Sequence, residues 1–225
     1  MSILRALITA VLLSVSFAAS VEANATNTTI QGVTARQSTT WNQAAWIWAN
    51  SYSTATKDAP LGAIVLRRSF QPTIPLPLVD VTVSISADNG YYLYVNGRFV
   101  GSGLNWAIPD TWTANNIVGT SPIVVAIVAV NNASPGNTQT GARGGAGVLA
   151  TFTVSGNNGL GGIDEYQFFT DGNWRGAWFV PDGAPDFTTP NYIDTGSPWA
   201  GASVEGGYGI GPWGILPEPT ARSLC

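Results

Sequence analysis

The chain has 225 residues, 45% apolar and 10% charged, with 26 glycines, 14 prolines and a formal net charge of −4. Such a composition supports a large apolar core and excludes a chain that is disordered throughout. The nine basic residues are scattered, with only Arg67 and Arg68 adjoining, which argues against nucleic acid or an anionic membrane surface as a partner.

In chain order, the first segment reads as a secretory signal over residues 1–23. Arg5 supplies the positive start, "ALITAVLLSVSFAA" the apolar stretch, and Ala18, Ser20 and Ala23 the small residues at candidate cleavage points. The apolar run is short for a membrane span, so removal is expected, with no span left afterwards. Residues 24–38 form a Thr-rich segment expected to be flexible, with glycosylation sequons at Asn24 and Asn27; a third sequon starts at Asn132. Together these features imply a secreted protein, extracellular or in a cell wall.

A β domain is expected over residues 39–214. In "WIWAN", Trp46 and Trp48 stand two apart, the spacing that puts both on one face of a strand. "GAIVLRRSF" reads as a strand. In "VDVTVSISADNG", Val81, Val83 and Ile85 alternate with Thr82, Ser84 and Ser86, as in a strand with one buried and one solvated face. Asp88-Asn89-Gly90 then turns the chain into "YYLYV", with Leu93 and Val95 on the core face. Asn96-Gly97 is a strong type I′ hairpin signal. These pieces are expected to form a three-stranded meander.

"GSGLNWAIPDTWTANN" is polar and reads as a long loop carrying Trp106 and Trp112. "PIVVAIVAV" has apolar residues at both parities, so it predicts a strand buried on both faces. "VLATFTV" is expected to pair with it as a hairpin across a long Gly-rich loop. Short strands and turns follow, with Trp174, Trp178, Trp199 and Trp213 among them, and residues 215–225 are expected to be a loose tail. The one cysteine, Cys225, allows no intrachain disulfide and leaves an intermolecular one open.

The segment "SADNGYYLYVNGRFVGSG" resembles the signature of galactose-binding-domain-like β-sandwiches. With "WIWAN", "LRRSF", "TDGNWRGA", "YIDTGSPW" and "YGIGPWG", it is similar to the non-catalytic sandwich domains of α-L-rhamnosidase-type glycoside hydrolases and to small secreted fungal proteins of that fold. The resemblance implies an all-β, antiparallel jelly-roll β-sandwich, with ligands held by loops at one end. Related sandwiches often hold a structural calcium ion, but no alternating Asp/Asn run with EF-hand spacing appears here. Calcium stays open; no other cofactor and no metal site is expected.

The chain has no histidine, which removes the usual general base and the Ser-His-Asp arrangement. Paired carboxylates could still hydrolyse a glycoside, but most of the aspartates sit in turn contexts such as "DNG", "PDT" and "TDGN", where they cap their own backbone. No catalytic residue is therefore expected. A flat indole stacks on the apolar face of a sugar while amides and carboxylates bond its hydroxyls. Trp106 and Trp112, with Asn105, Asp110, Asp88 and Asn89, are the candidate ligand-binding residues. The expected function is lectin-like glycan binding, with a structural wall or matrix protein and a glycoside hydrolase as alternatives.

Overall fold

The computed structural model describes residues 41–49, 57–73, 76–132, 143–178 and 186–223. Fifteen strands run through them, and the described residues contain no α-helix, only 3-10 turns at Trp41–Gln43 and Asp186–Thr188. The strands are β1 (Ala45–Trp48), β2 (Asp58–Pro60), β3 (Gly62–Phe70), β4 (Leu78–Asp88), β5 (Gly90–Val95), β6 (Arg98–Gly103), β7 (Asp110–Val118) and β8 (Ile123–Asn131). They continue with β9 (Arg143–Gly145), β10 (Gly147–Asn157), β11 (Ile163–Phe169), β12 (Arg175–Ala177), β13 (Ala200–Gly201), β14 (Ser203–Gly207) and β15 (Thr220–Ala221). The signal segment, Asn24, Asn27 and Cys225 lie outside the described residues.

Two sheets result. One has the order β14-β1-β10-β4-β7-β15, with β11 also on β10; the other has the order β13-β12-β3-β8-β5-β6. From β3 onward the long strands alternate between them: β3, the β5–β6 hairpin and β8 in one, β4, β7 and β10 in the other. This is the antiparallel jelly-roll sandwich expected from the sequence.

The main core lies between the sheets. Val81, Val83 and Ile85 of one sheet meet Ile64, Leu66, Leu93, Val95, Val125 and Ile127 of the other, all fully buried. Each such side chain stabilises the fold by about 1.5–3 kcal/mol relative to exposure. The outer faces are partly covered as well. Trp41, Trp46, Leu149, Trp213 and Leu216 cluster on one sheet, and Val65, Ala126, Phe187 and Trp199 on the other. This second cover explains the two-sided apolar pattern of β8, whose odd residues face the main core while Ala126 faces outward.

Several local expectations are corrected. The meander does not form, because β4 and β5 belong to different sheets and Asp88–Asn89 is the crossing between them. For the same reason β8 and β10 do not make a hairpin; β10 pairs with β4, β1 and β11. Trp46 and Trp48 do not share a face. Trp46 pairs with Gly206 and Ile47 with Val204, so Glu205 is an extra residue that bulges β14 at this point. Trp46 consequently joins the outer cluster and Trp48 the main core.

The second half of the expected long loop is a strand, β7, with Trp112 and Ala114 buried and Thr113 exposed. Its polar face pairs hydroxyls with β4, Ser84 Oγ lying 2.9 Å from Thr111 Oγ1. Ser84 and Ser86 are therefore buried rather than solvated. The expected loose tail is docked in part. Thr220 and Ala221 pair in parallel with Asp110 and Thr111, and Leu216 is buried.

Candidate functional site

The crossing from β4 to β5 sits at one end of the sandwich. Asn89 donates its backbone N–H to the Val130 carbonyl (2.9 Å) and accepts the Asn132 N–H at Oδ1 (2.7 Å). The turn is thereby fixed to the end of β8. Asp88 is buried, with 8% of its surface exposed. Its Oδ2 accepts the Trp213 indole N–H at 3.0 Å, and Oδ1 has no hydrogen-bond partner among the described residues. Burial pushes the Asp88 carboxyl above the usual range, and the Trp213 bond partly opposes it. Trp213 in turn stacks on Trp46 with ring centroids 4.2 Å apart.

Gly147 makes that stack fit. It faces Asp88 across the β4–β10 ladder, and a Cβ there would lie 2.9 Å from both indoles. The aromatic pair and the carboxylate it bonds are thus carried by the backbone approach that glycine permits.

The loop 104–109 closes over the same end. Ser86 donates its hydroxyl to the Trp106 carbonyl (2.7 Å). Asn105 turns the loop by accepting the Ala107 N–H at Oδ1 (3.1 Å) and the Ile108 N–H at its carbonyl (3.2 Å). The Trp106 side chain is half-buried against the cluster that contains Trp213. Trp106 and Asp88 therefore share one aromatic support, while Asn105 is exposed at the loop tip.

Asp110 and Trp112 lie on the other side of this loop. Trp112 donates its indole N–H to the Tyr91 hydroxyl (2.8 Å), which donates to Asp110 Oδ2 (2.8 Å). Arg222 Nε donates to Asp110 Oδ1 (2.7 Å). Trp112 is 9% exposed and packs flat on Gly101, so it forms the wall of the sandwich rather than a free platform. A groove of about 360 Å³ opens beside it, lined by Leu104, Asn105, Ile108, Asp110, Trp112 and Arg222.

The six candidate residues therefore fall into two neighbourhoods. Asp88 and Asn89 stand at the β4–β5 crossing, and Trp106, held through its carbonyl by Ser86 two residues before Asp88, packs on the aromatic cluster whose Trp213 bonds Asp88. Asn105, Asp110 and Trp112 line a side groove. Sequence reading missed three residues that organise them: Trp213, Tyr91 and Arg222. Tyr91 shares the parity of Leu93 and Val95 and so reads as inward-facing, as it is, but that parity does not reveal its bonds to Asp110 and Trp112; Trp213 and Arg222 sit in turn-rich sequence without a periodic signal. The described residues hold no group of three His, Cys, Asp or Glu placed to bind a metal ion.

No family model matches the chain. In sequence it is 29% identical over 190 residues to an α-L-rhamnosidase of Streptomyces avermitilis, covering 79% of this chain and 16% of that enzyme. In structure it is similar to the Pleurotus ostreatus lectin solved in complex with GalNAc, with a TM-score of 0.64 and 29% identity over 79% of this chain and 47% of that one. It is also similar to the S. avermitilis α-L-rhamnosidase complexed with L-rhamnose, with a TM-score of 0.61 and 25% identity over 79% of this chain and 16% of the enzyme. The chain thus spans under half of the lectin and about a sixth of the rhamnosidase. With its alternating topology of two large sheets, it is an antiparallel jelly-roll β-sandwich, similar to the P. ostreatus lectin and to a portion of the S. avermitilis α-L-rhamnosidase, and its "SADNGYYLYVNG" crossing resembles that of galactose-binding-domain-like sandwiches.

Proposed function

We propose that this chain is a secreted, non-catalytic carbohydrate-binding protein that acts on glycans outside the cell or in a wall. The observation that carries the reading is the placement of Asp88 and Asn89 at the sheet crossing, with Trp106 half-buried on the aromatic cluster whose Trp213 bonds Asp88. There a sugar ring stacks on the half-exposed Trp106 indole. The Asn89 amide and the unpartnered Asp88 Oδ1 accept and donate to its hydroxyls as their chemistry allows.

The likeness to a lectin solved with GalNAc and to a rhamnosidase solved with L-rhamnose supports the sugar class. The apolar leader and the N-terminal sequons support the secreted route. A hydrolytic reading draws less support, because three of the aspartates are held in ion pairs. Asp110 is held by Tyr91 and Arg222, Asp171 by Arg68, and Asp194 by Arg67.

The test is a glycan array followed by calorimetry with GalNAc and L-rhamnose, on the wild type and on Trp106→Ala and Asn89→Ala. Loss of a stacking indole is expected to weaken binding about tenfold. Silence across the array, or affinity unchanged by both substitutions, rejects the proposal.

A further inference from the structure

The side of the sandwich where β6 edges one sheet and β7, with the short β15 beside it, ends the other carries a feature that the sugar reading does not use. Beyond Trp112 a second cavity of about 310 Å³ adjoins the groove, and Arg98 and Arg222 both line it, with Thr113, Asn115 and Ser223. The two cavities share Trp112, Arg222 and Ser223. Each is at the lower end of the size range of small-molecule sites, about 300–1,000 Å³.

The two guanidiniums differ from others in the molecule. Arg67 and Arg68 end on carboxylates, at 2.6 Å from Asp194 and 2.7 Å from Asp171. Arg98 reaches only a backbone carbonyl, that of Asn115, through Nη1. Arg222 is anchored through Nε, and its Nη1 and Nη2 make no hydrogen bond among the described residues. Asp110 is the carboxylate of these linings, and both its oxygens are occupied, one by Tyr91 and one by Arg222. Free guanidinium donors facing one concavity are suited to a planar or tetrahedral oxyanion. Thr113, Asn115 and Ser223 add neutral groups that suit hydroxyls.

We propose that this margin is a second site, which takes an acidic sugar with its carboxylate against Arg98 and Arg222. The choice of a saccharide over another anion rests on the carbohydrate-binding reading above; the choice of an anion rests on the two arginines alone. Arg222 is pre-oriented by Asp110 and so presents its outer edge, while Arg98 supplies the uncompensated charge.

The test is calorimetric titration of the full chain with glucuronate, glucose and sodium sulfate. Glucuronate is expected to bind saturably, and glucose and sulfate each at least about tenfold more weakly. Arg98→Gln and Arg222→Gln are each expected to weaken glucuronate by about tenfold. Arg98 makes only one carbonyl contact, so Arg98→Gln keeps the test meaningful if Arg222→Gln disturbs Asp110. Arg98→Gln leaves neutral-glycan binding at the Asp88 end as in the wild type. Equal affinity for glucose and glucuronate overturns the anion assignment, and sulfate binding as tightly as glucuronate overturns the sugar assignment. Glucuronate binding untouched by both substitutions overturns the site. Failure of neutral glycans to bind at all counts against the Asp88 reading and leaves the glucuronate comparison to decide this one.

Discussion

Tyr91 and Asp110 are joined across the sandwich: the tyrosine hydroxyl of β5 in one sheet donates to the carboxylate of β7 in the other at 2.8 Å. The same hydroxyl accepts the Trp112 indole N–H, so one oxygen satisfies two buried groups. Tyr91→Phe keeps the ring and removes both bonds. The expected cost is about 1–3 kcal/mol, the penalty for orphaning buried polar groups. It should appear in urea melts as a lower midpoint with an unchanged slope.

The hydroxyl also has a pH signature. Burial pushes the Tyr91 phenol well above its ordinary range, and the Asp110 charge adds to this, against the opposing Trp112 bond. An acid whose ionisation is suppressed by folding leaves stability intact below its unfolded pKa, about 10 for tyrosine, and costs stability above it. Wild-type stability should therefore fall as the pH rises past about 10, and Tyr91→Phe should fall less steeply. Parallel slopes for the two proteins would refute the burial argument.

Gly101 is a steric counterpart of this chain of bonds. A Cβ at that position would lie 2.3 Å from the Trp112 ring, and a fused indole edge cannot yield by a rotamer change alone. Gly101→Ala is expected to destabilise by about 1–3 kcal/mol, as overpacking does. Gly201 in β13 faces open space, so Gly201→Ala is the matched control, with a change expected within about 0.5 kcal/mol. Thermal melts of the two variants side by side decide the point.

Strand existence was readable where one periodicity dominated. The Val81-Val83-Ile85 alternation, the two-sided apolar run of β8 and the Asn96-Gly97 turn all appear, the turn with φ of 46° and 82° at its two residues. Sheet membership was not readable there, because alternation reports a buried face and not which neighbour pairs at the edge. Thus Asp88–Asn89 looks like a hairpin turn in sequence and is a sheet crossing in space. β7 hid because its outward residues are Thr and Asn, as in a loop, although Trp112 and Ala114 keep period two. The aromatic support of the candidate site depends on Trp213, which is 125 residues from Asp88 in sequence; no local pattern encodes that contact.

Arg67 is 3% exposed and makes four hydrogen bonds, to the Phe187, Thr189 and Tyr192 carbonyls and to Asp194 at 2.6 Å. It therefore holds the segment that carries Phe187 and Trp199 over the outer face of β3 and β8. Arg67→Ala leaves three carbonyls and a carboxylate without their donor, with an expected loss of about 3–5 kcal/mol. Arg67→Lys keeps the charge and loses the planar fork, so it should recover only part of that loss. Full recovery by lysine, read by denaturant melts, would show that charge and not geometry holds the segment.

Glu205, the extra residue of the β14 bulge, has a fully buried side chain. Lys57 Nζ bonds the Glu205 backbone carbonyl and stands 3.8 Å from Oε2. Neither carboxylate oxygen has a hydrogen-bond partner. Burial pushes the carboxyl above its usual value, and the Ser203 side chain and the Lys57 charge oppose this in part. The folded state thus binds this proton more tightly than the unfolded chain, so this residue's contribution to stability decreases as pH rises. The decline begins near the ordinary glutamate value of about 4.3 and ends above the raised native one. Glu205→Gln removes the charge and keeps the shape. It is expected to raise stability at neutral pH by about 1–3 kcal/mol and to flatten the slope in that window. Asp88, also raised, keeps a residual slope of the same sign in the variant. A Glu205→Gln protein that is less stable at neutral pH would mean that the Lys57 attraction outweighs the desolvation of the carboxylate.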